Sequence, residues 1–278
     1  MLNKIISIAQ DVRATVPLVH NITNYVTVND VANAELAIGG SALMADDIDE
    51  VADMVSIASA TNINIGTLNK RTIASMLEAA RQGNVGDTPV VFDPVGAGAS
   101  ALRNDTTRAF LDSCKPTVIR GNLSEVSFVA GLEVSTKGVD SAAADEGNDA
   151  VAVAKSVAAA YNCVCAITGA VDVVTDGSSV VRISNGTAAM SKITGTGCMC
   201  DGLIGCFVGA VDHHDRQQVL AATAGAIVSM GLAGELAERD LKTMGALVGT
   251  GSLHIGIIDR LSLLSADDYR RHARVEER

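Results

Sequence analysis

Aromatic side chains are scarce in this sequence, which has no tryptophan and only 3% aromatic residues. Stacking platforms for unpaired bases are therefore missing. Basic residues are also few, because 21 Lys and Arg stand against 32 Asp and Glu, a formal net charge of −11. A nucleic acid or an anionic membrane surface is therefore not expected as a partner.

Long hydrophobic runs are absent as well. The longest dense apolar run, Leu203 to Val211, is far shorter than the roughly 20 residues that a membrane span requires. The first 15 residues carry charges among apolar residues at helical spacing, which is unlike the core of a signal peptide. A cytoplasmic protein that does not cross a membrane is expected.

Six cysteines are present, but no C-x-x-C pair occurs. Cys163 and Cys165 lie in a strand-like run and point to opposite faces, and Cys198 and Cys200 are about 200° apart on a helix. Neither pair suits a zinc site. Five of the six, all except Cys198, are expected to be small buried side chains in a reducing compartment.

The sequence does contain a regular alternation of two patterns. Short apolar runs bounded by turn residues alternate with longer stretches in which apolar residues have helical spacing. This alternation predicts an α/β fold with a mostly parallel sheet and helices on both faces. Asp176-Gly177 predicts a hairpin that adds an antiparallel strand. From Gly197 onward the pattern is helical, and residues 267–278 are expected to be a solvated helix end. No linker interrupts residues 1–278, which predicts a single domain.

Polar or small residues follow most of the predicted strands. In open parallel sheets, ligands bind beyond the carboxyl ends of the strands. These positions are therefore the first candidates for a site. They are His20–Asn24, Met44, Asn64–Thr67, Asp93–Gly98, Arg120–Glu125, Thr168–Asp172 and Thr194–Cys198.

One of these stretches, ITGTGCMCDG (Ile193 to Gly202), lacks bulky side chains just before an apolar helix. Neither a dinucleotide-binding G-x-G-x-x-G after a strand nor a P-loop G-x-x-x-x-G-K-[ST] occurs. Gly195, Thr196 and Gly197 nevertheless offer successive main-chain N–H groups at a helix N-terminus, which suits an anion such as a phosphoryl group. The alternative is an ordinary helix N-cap at Thr194.

Eight motifs occur in an order that is similar to the hydroxyethylthiazole kinase family of the ribokinase-like superfamily. They are VHNITNYVTVNDVAN, GGSALMA, NINIGTL, VVFDPVGAGAS, VIRGNLSE, KGVDS, AITGAVDVVTDG and ITGTGCM, spanning about Leu18 to Phe207. The resemblance implies a ribokinase-like three-layer α/β/α sandwich. It also implies ATP- and Mg²⁺-dependent phosphorylation of the hydroxyl of 4-methyl-5-(2-hydroxyethyl)thiazole, a step of thiamine salvage, by a homotrimer with active sites between subunits.

The same resemblance implies a role for each residue that matches a family motif. Met44, Gly195, Asn24 and Gly66 match substrate-binding positions. Arg120 and Thr168 match ATP contacts, and Asp93 and Glu125 match the acidic pair that holds Mg²⁺, an ion that prefers oxygen ligands. Gly195, Thr196 and Gly197 match the catalytic anion hole, with Cys198 after it.

Cys198 stands where most of the superfamily has an aspartate that serves as a base. A free thiol is only a few per cent ionised at neutral pH, and phosphoryl transfer depends mainly on positioning and charge neutralisation. We therefore expect Cys198 to act by orientation or as a weak base, not as a covalent nucleophile; simple packing is the alternative. Asp201 lies one helical turn later on the same face, and it either polarises the thiol or packs.

Three histidine-containing positions are expected to be structural. His20 is expected to make a structural hydrogen bond, and His254 is typical of a core histidine with a polar partner. Residues 212–215 (DHHD) resemble a metal-binding cluster, but they fall between two predicted helices, so a solvated loop is expected.

Two other functions stay open at this point. The first is another enzyme on the same fold, such as a hydroxymethylpyrimidine kinase, a sugar kinase or an ATP-dependent hydrate dehydratase. The second is a non-catalytic protein that senses a thiazole or a nucleotide. A panel of alcohols and an ADP-release assay distinguish these functions.

Overall fold

The computed structural model describes residues 1–132, 149–245 and 247–278. Within this part of the chain, nine strands form one sheet in the order β2-β1-β3-β4-β5-β6-β7-β8-β9. Strands β1 to β6 pair with one another in parallel, and β7, β8 and β9 add to β6 in antiparallel fashion. The strands are β1 (Leu18–Ile22), β2 (Ser41–Leu43), β3 (Ala60–Asn64), β4 (Val90–Asp93), β5 (Val118–Gly121), β6 (Val164–Ile167), β7 (Asp172–Thr175), β8 (Val180–Ile183) and β9 (Val275–Glu277).

Helices connect the parallel strands and cover both faces of the sheet. In the described ranges they are α1 (Leu2–Thr15), α2 (Val28–Ile38), α3 (Val51–Ile57), α4 (Lys70–Gly86), α5 (Ala101–Ser113), α6 (Leu123–Val129), α7 (Ala150–Tyr161), α8 (Thr196–Val208), α9 (Arg216–Thr243), α10 (Thr250–Leu263) and α11 (Ala266–His272), with a 3-10 helix at Ala188–Lys192.

The two faces of the sheet follow from the alternation of side chains along each strand. In β4, Val91 packs into the cluster formed with α1, α2, α8, α9 and α10. Its neighbours Val90 and Phe92 pack into the opposite cluster, with α4 and α5. There Phe92 stacks on Phe110 with ring centroids 3.9 Å apart, and burial of each ring contributes about 1.5–3 kcal/mol. The architecture is thus a three-layer α/β/α sandwich with a mostly parallel sheet, as the sequence predicts.

Helix α8 packs closely on the sheet and on α2 because it carries glycines at the contacts. A Cβ atom at Gly205 would lie 2.7 Å from Val19 of β1, and one at Gly202 would lie 2.6 Å from the Glu35 carboxyl of α2. Any larger side chain would therefore displace the helix. This contact fixes the height of α8, and hence of its N-terminus, relative to the sheet.

Helix α9 is long and apolar enough to span a membrane by length and composition, with a mean hydropathy of 1.6 over its most apolar window. However, 94% of that window is buried inside the protein, where α9 packs between α8, α10 and the antiparallel strands. Burial accounts for its composition, because a helix that is apolar on all sides belongs in a protein core as much as in a lipid bilayer.

The C-terminal segment differs from the sequence prediction of a solvated helix end. Tyr269 of α11 is buried, and its hydroxyl lies 2.6 Å from that of Ser229 on α9. Beyond α11, β9 pairs with β8 as the last strand of the sheet. The prediction was wrong because this short strand is polar and half-exposed at the sheet edge, so it shows no apolar alternation.

The predicted hairpin is present between β7 and β8, but its loop has four residues, 176–179, because Thr175 pairs with Val180. Gly177 adopts the positive φ of 96° that this turn requires. The KGVDS motif, residues 137–141, lies outside the described residues.

Candidate active site

The site forms where four parallel strands end beside one another. Asn64, Asp93, Arg120 and Thr168 end or follow β3, β4, β5 and β6, which are neighbours in the sheet. The sequence predicts this edge, and the structure brings the four side chains into one connected group beneath the N-terminus of α8.

Arg120 is the centre of this group. Its Nη1 lies 3.4 Å from Asp93 Oδ2 and 3.5 Å from Asp201 Oδ1, and its Nη2 donates a 2.7 Å hydrogen bond to Thr168 Oγ1. Burial lowers the pKa of Arg120, but the charges of Asp201 and Asp93 outweigh burial and raise it above the ordinary value. The guanidinium is thus a permanent cation, held between two carboxylates and a hydroxyl.

Asn64 connects the carboxylates to the thiol. Its Nδ2 lies 2.8 Å from Asp93 Oδ2, 3.1 Å from Asp201 Oδ2 and 3.4 Å from Cys198 Sγ. Its Oδ1 accepts a 2.9 Å hydrogen bond from the main-chain N–H of Gly66. One amide therefore links the β3 loop, α8 and the end of β4.

Asp93 and Asp201 are buried carboxyls at a short distance from each other. Burial raises the pKa of Asp93, and the Asp201 charge raises it further. Burial also raises the pKa of Asp201, against the opposing effect of Arg120. Asp93 Oδ1 has no hydrogen-bond partner although it is buried. An oxygen ligand in this state is suited to a cation.

Glu125 is a second candidate ligand next to Asp93. Its carboxylate accepts 2.8 Å hydrogen bonds from the N–H groups of Gly96 and Asn122, and Asn122 Oδ1 accepts one from the Glu125 N–H, which completes a capping box at the start of α6. Burial and the Asp93 charge raise the pKa of Glu125 to about 7.

The unpartnered oxygen of Asp93 and the elevated pKa of Glu125 together fit a divalent cation that takes oxygen ligands. A positive charge at this place lowers both pKa values and removes the mutual repulsion of the carboxylates.

The small-residue corner has the geometry of an anion-binding helix N-terminus. Gly195, with φ of 89°, is the N-cap of α8, and no side chain caps this helix end. Thr194 is therefore not the N-cap, so the alternative considered from the sequence is wrong. A Cβ atom at Gly195 would lie 2.5 Å from Thr27 Cγ2, and one at Gly197 would lie 2.9 Å from Arg120 Nη1. The first turn of α8 thus lies against the Arg120 guanidinium at Gly197, where a side chain would have no room.

Cys198 lies in the first turn of α8 and is 8% exposed. Burial, together with the charges of Asp201 and Asp93, raises the pKa of its thiol to about 12, although the Thr27 hydroxyl and Arg120 act in the opposite direction. The side chain is therefore a neutral thiol at physiological pH. This environment disfavours a thiolate more strongly than the sequence indicates.

A cavity of about 760 Å³ opens beside the Arg120–Thr168 pair. Its walls include Gly197 and Cys200 of α8 on one side and Met190 and Ile227 on the other. Asp172 also lines it, and burial raises the pKa of that carboxyl to about 6. The volume is typical of a site for a small organic molecule.

The residues expected on the substrate side are less closely connected. The Asn24 amide lies 2.5 Å from the place a Cβ of Gly66 would occupy, and Thr67 Oγ1 accepts a hydrogen bond from the Tyr25 N–H. These contacts join the β1 and β3 loops next to Thr27 and Gly195. Met44, in contrast, lies after the edge strand β2, two strands away from β3, and is partly exposed.

Three residues that build the site were not assigned a role from the sequence. Thr27 contacts the Gly195 corner, Asn64 joins both carboxylates to the thiol, and Arg103 donates hydrogen bonds to the carbonyls of residues 65, 66 and 95. The position of Asn64 after a strand is a usable signal. Thr27 and Arg103 have no such signal, since their contacts are set by tertiary packing.

The histidine predictions had different outcomes. The expectation for His20 is confirmed, because its Nε2 donates a 2.7 Å hydrogen bond to the Ala45 carbonyl, and burial lowers its pKa. The expectation for His254 is confirmed for its polar partner but is wrong for its position in the core. This residue is partly exposed on α10, with its Nε2 3.0 Å from Asp30 Oδ1 on α2.

Comparisons with known proteins show which family this chain is similar to. Residues 9–267 match the model of the hydroxyethylthiazole kinase family. A curated hydroxyethylthiazole kinase of Ruminiclostridium cellulolyticum is 53% identical over 275 residues, which cover 99% of this chain and 97% of that protein. One from Clostridium beijerinckii is 50% identical, with the same shares covered.

Solved structures lead to the same fold. The structure of a hydroxyethylthiazole kinase protein from Pyrococcus horikoshii OT3 superposes with a TM-score of 0.86 and 36% sequence identity, covering 98% of each chain. The pyridoxal kinase of Bacillus subtilis, in its ADP complex, gives a TM-score of 0.52 at 17% identity, covering 74% of this chain and 88% of that chain. The second likeness supports the ribokinase-like fold alone.

Proposed function

This chain belongs to the hydroxyethylthiazole kinase family, whose members are phosphotransferases, and we propose that it transfers the γ-phosphoryl group of ATP, with Mg²⁺, to the hydroxyl of 4-methyl-5-(2-hydroxyethyl)thiazole. This reaction supplies a phosphate ester for thiamine synthesis. The observation that carries the proposal is the N-terminus of α8, which no side chain caps and which lies against Arg120 at Gly197.

The phosphate side of the reaction rests on fixed charges. Main-chain N–H groups of Thr196, Gly197 and Cys198, together with the positive end of the α8 dipole, stabilise charge on the phosphoryl group during transfer. Arg120 holds the phosphates, and Thr168 both orients Arg120 and offers its own hydroxyl. The remainder of the nucleotide occupies the adjoining 760 Å³ cavity.

The metal side rests on Asp93 and Glu125. These residues hold Mg²⁺, directly or through water, and Asp93 presents its unpartnered Oδ1 for this purpose. When bound, the ion neutralises charge on the phosphates. Asn64 donates to the other oxygen of Asp93 and so fixes the carboxylate for this role.

The acceptor alcohol binds between the anion corner and the loops that carry Asn24, Gly66 and Met44. Cys198 orients the hydroxyl through its neutral thiol, since the raised pKa leaves almost no thiolate at neutral pH. A loose transition state needs in-line positioning more than prior removal of the proton.

A homotrimer with active sites between subunits accounts for exposed apolar residues next to the acceptor side. Tyr25 is 75% exposed and Val26 56%, and both directly follow Asn24. Ile255 and Leu247 are also exposed, on or just before α10, which packs against α2. Partner copies cover this surface in the proposed assembly. Each copy is a single domain in the cytoplasm, without nucleic-acid or membrane partners.

The test is direct. Purified protein is incubated with Mg-ATP and the thiazole alcohol, and the phosphate ester is sought by mass spectrometry, with a panel of sugars and hydroxymethylpyrimidine as alternative acceptors. The proposal predicts one phosphorylated product, from the thiazole alcohol. Turnover of another alcohol instead identifies a different ribokinase-like kinase, and binding without ADP release contradicts catalysis.

A further inference from the structure

A second group of chemistry-bearing side chains lies at the opposite end of the sheet from the candidate active site. Asp87 follows α4 and lies just before β4, whose other end carries Asp93. His213 and His214 lie in the loop between α8, which starts at the anion corner, and α9. The three residues therefore come together at the amino ends of the strands, away from the phosphate chemistry.

Their ligand atoms converge on one point. His213 Nε2 lies 3.3 Å from Asp87 Oδ1, and His214 Nε2 lies 2.9 Å from Asp87 Oδ2. One ligand atom from each residue lies within 4.8 Å of the others, and the two imidazole rings are 4.3 Å apart at their centroids. Asp87 and His213 are 126 residues apart in the sequence. Their closeness is therefore a result of the tertiary fold and not of local chain geometry.

The backbone at Asp87 and at His214 is held by hydrogen bonds that do not use the ligand side chains, which contact one another instead. Asp87 is the C-cap of α4 in the left-handed region, with φ of 60°, and its N–H donates to the Gly83 carbonyl. The His214 N–H donates to Asp212 Oδ1, and Asp215 caps α9. The carboxylates of Asp212 and Asp215 also add negative charge beside the histidines, which favours a cation there.

We propose that Asp87, His213 and His214 form a binding site for a Zn²⁺-class transition-metal ion. Two imidazole nitrogens and a carboxylate oxygen suit Zn²⁺, Co²⁺ or Ni²⁺ and are a poor set for Mg²⁺. Water completes the coordination, because three protein ligands leave a position open. The bound ion links the α4–β4 loop to the α8–α9 loop and stabilises the folded chain independently of the active site.

The first test is calorimetric titration of the metal-free full-length protein with Zn²⁺ in excess Mg²⁺. We expect one Zn²⁺ per chain at this site, with an affinity that falls by about tenfold or more in His213→Gln, in His214→Gln and in Asp87→Asn, because each removes a ligand. His272→Gln removes a histidine elsewhere on the surface and leaves the affinity unchanged. Zn²⁺ raises the Tm of the wild type and of the control but not of the ligand variants.

The second test needs no variant. Crystals soaked in Zn²⁺ are expected to show an anomalous peak between the three side chains. The inference is overturned if the ligand variants bind Zn²⁺ as tightly as the wild type. It is equally overturned if the peak lies only elsewhere, for example at Asp93 and Glu125 or at a cysteine.

Discussion

The phosphate side and the acceptor side of the candidate site are built differently. On the phosphate side, the buried Asp93 and Asp201 both pair with the partly buried Arg120 within one chain. On the acceptor side, Asn24 is followed by the exposed Tyr25 and Val26, and Met44 lies after an edge strand. In the proposed assembly, one chain therefore completes the phosphate chemistry, whereas recognition of the alcohol depends on surface that a partner copy would cover.

The largest effect is expected at the corner that joins the two sides. Gly195→Val places a Cβ 2.5 Å from Thr27 in a backbone conformation that favours glycine. Displaced N–H groups lose their alignment, and we expect kcat to fall by about 10³-fold. Steady-state kinetics measures this, with Gly86→Val, at the far end of α4, as the control that keeps its activity. Near-normal turnover of Gly195→Val contradicts the anion corner.

A loss of about 10²- to 10³-fold in kcat is expected for Asp93→Asn. The amide keeps the shape of the side chain but removes the charge that balances Arg120 and that we propose holds Mg²⁺. When activity is measured against Mg²⁺ concentration, we expect the variant to need a higher Mg²⁺ concentration for half-maximal activity. Asp105→Asn, on the exposed face of α5, serves as the control. An unchanged Mg²⁺ dependence contradicts the metal assignment.

Much of the fold and part of the site follow from the sequence, because strand alternation and helical periods are local signals. Polar residues at strand ends, such as Arg120 and Thr168, can also be predicted from the sequence, because parallel strands place their carboxyl ends together. The contact of Thr27 with Gly195 and the links of Asn64 to Cys198 and Asp201 depend instead on how α8 packs on α2 and β3. Such long-range packing produces no periodic pattern in the sequence, so it could not be predicted.

Asp201→Asn is expected to reduce kcat by about tenfold, less than Asp93→Asn, because Asp201 acts on Arg120 and Asn64 and not on the phosphates. The KM for ATP rises as Arg120 loses one of its two carboxylate partners. Asp259→Asn, an exposed change on α10, provides the control. If kcat and KM both stay at wild-type values, Asp201 is a packing residue only.

A change to the exposed surface of the acceptor side tests the comparison between the two sides of the site. Tyr25→Ser is expected to raise the KM for the thiazole alcohol several-fold, with kcat and the KM for ATP near wild type, and to weaken the proposed trimer. Light scattering after size-exclusion chromatography reports the assembly. Ile57→Ser, a change at another exposed apolar residue, on α3, is the control. A change in the KM for ATP without a change in the KM for the thiazole alcohol contradicts the separation into a phosphate side and an acceptor side.

The smallest effect is expected at the thiol. Cys198→Asp retains or raises turnover, because a carboxylate at this position orients the hydroxyl and is also a better base than a thiol with a pKa of about 12. Kinetics with the thiazole alcohol measures the change, and Cys198→Ala serves as the comparison that lacks a polar atom. An inactive Cys198→Asp variant, together with a phosphocysteine adduct found by mass spectrometry in the wild type, contradicts the orienting role.

A crystal structure with Mg²⁺ and a non-hydrolysable ATP analogue examines the phosphate side most directly. The expected result is a γ-phosphate within hydrogen-bond distance of the main-chain N–H groups of residues 196–198, with Arg120 on the same phosphates and the nucleoside in the adjoining cavity. A triphosphate bound elsewhere, with side chains filling the space in front of α8, is the result that contradicts this account.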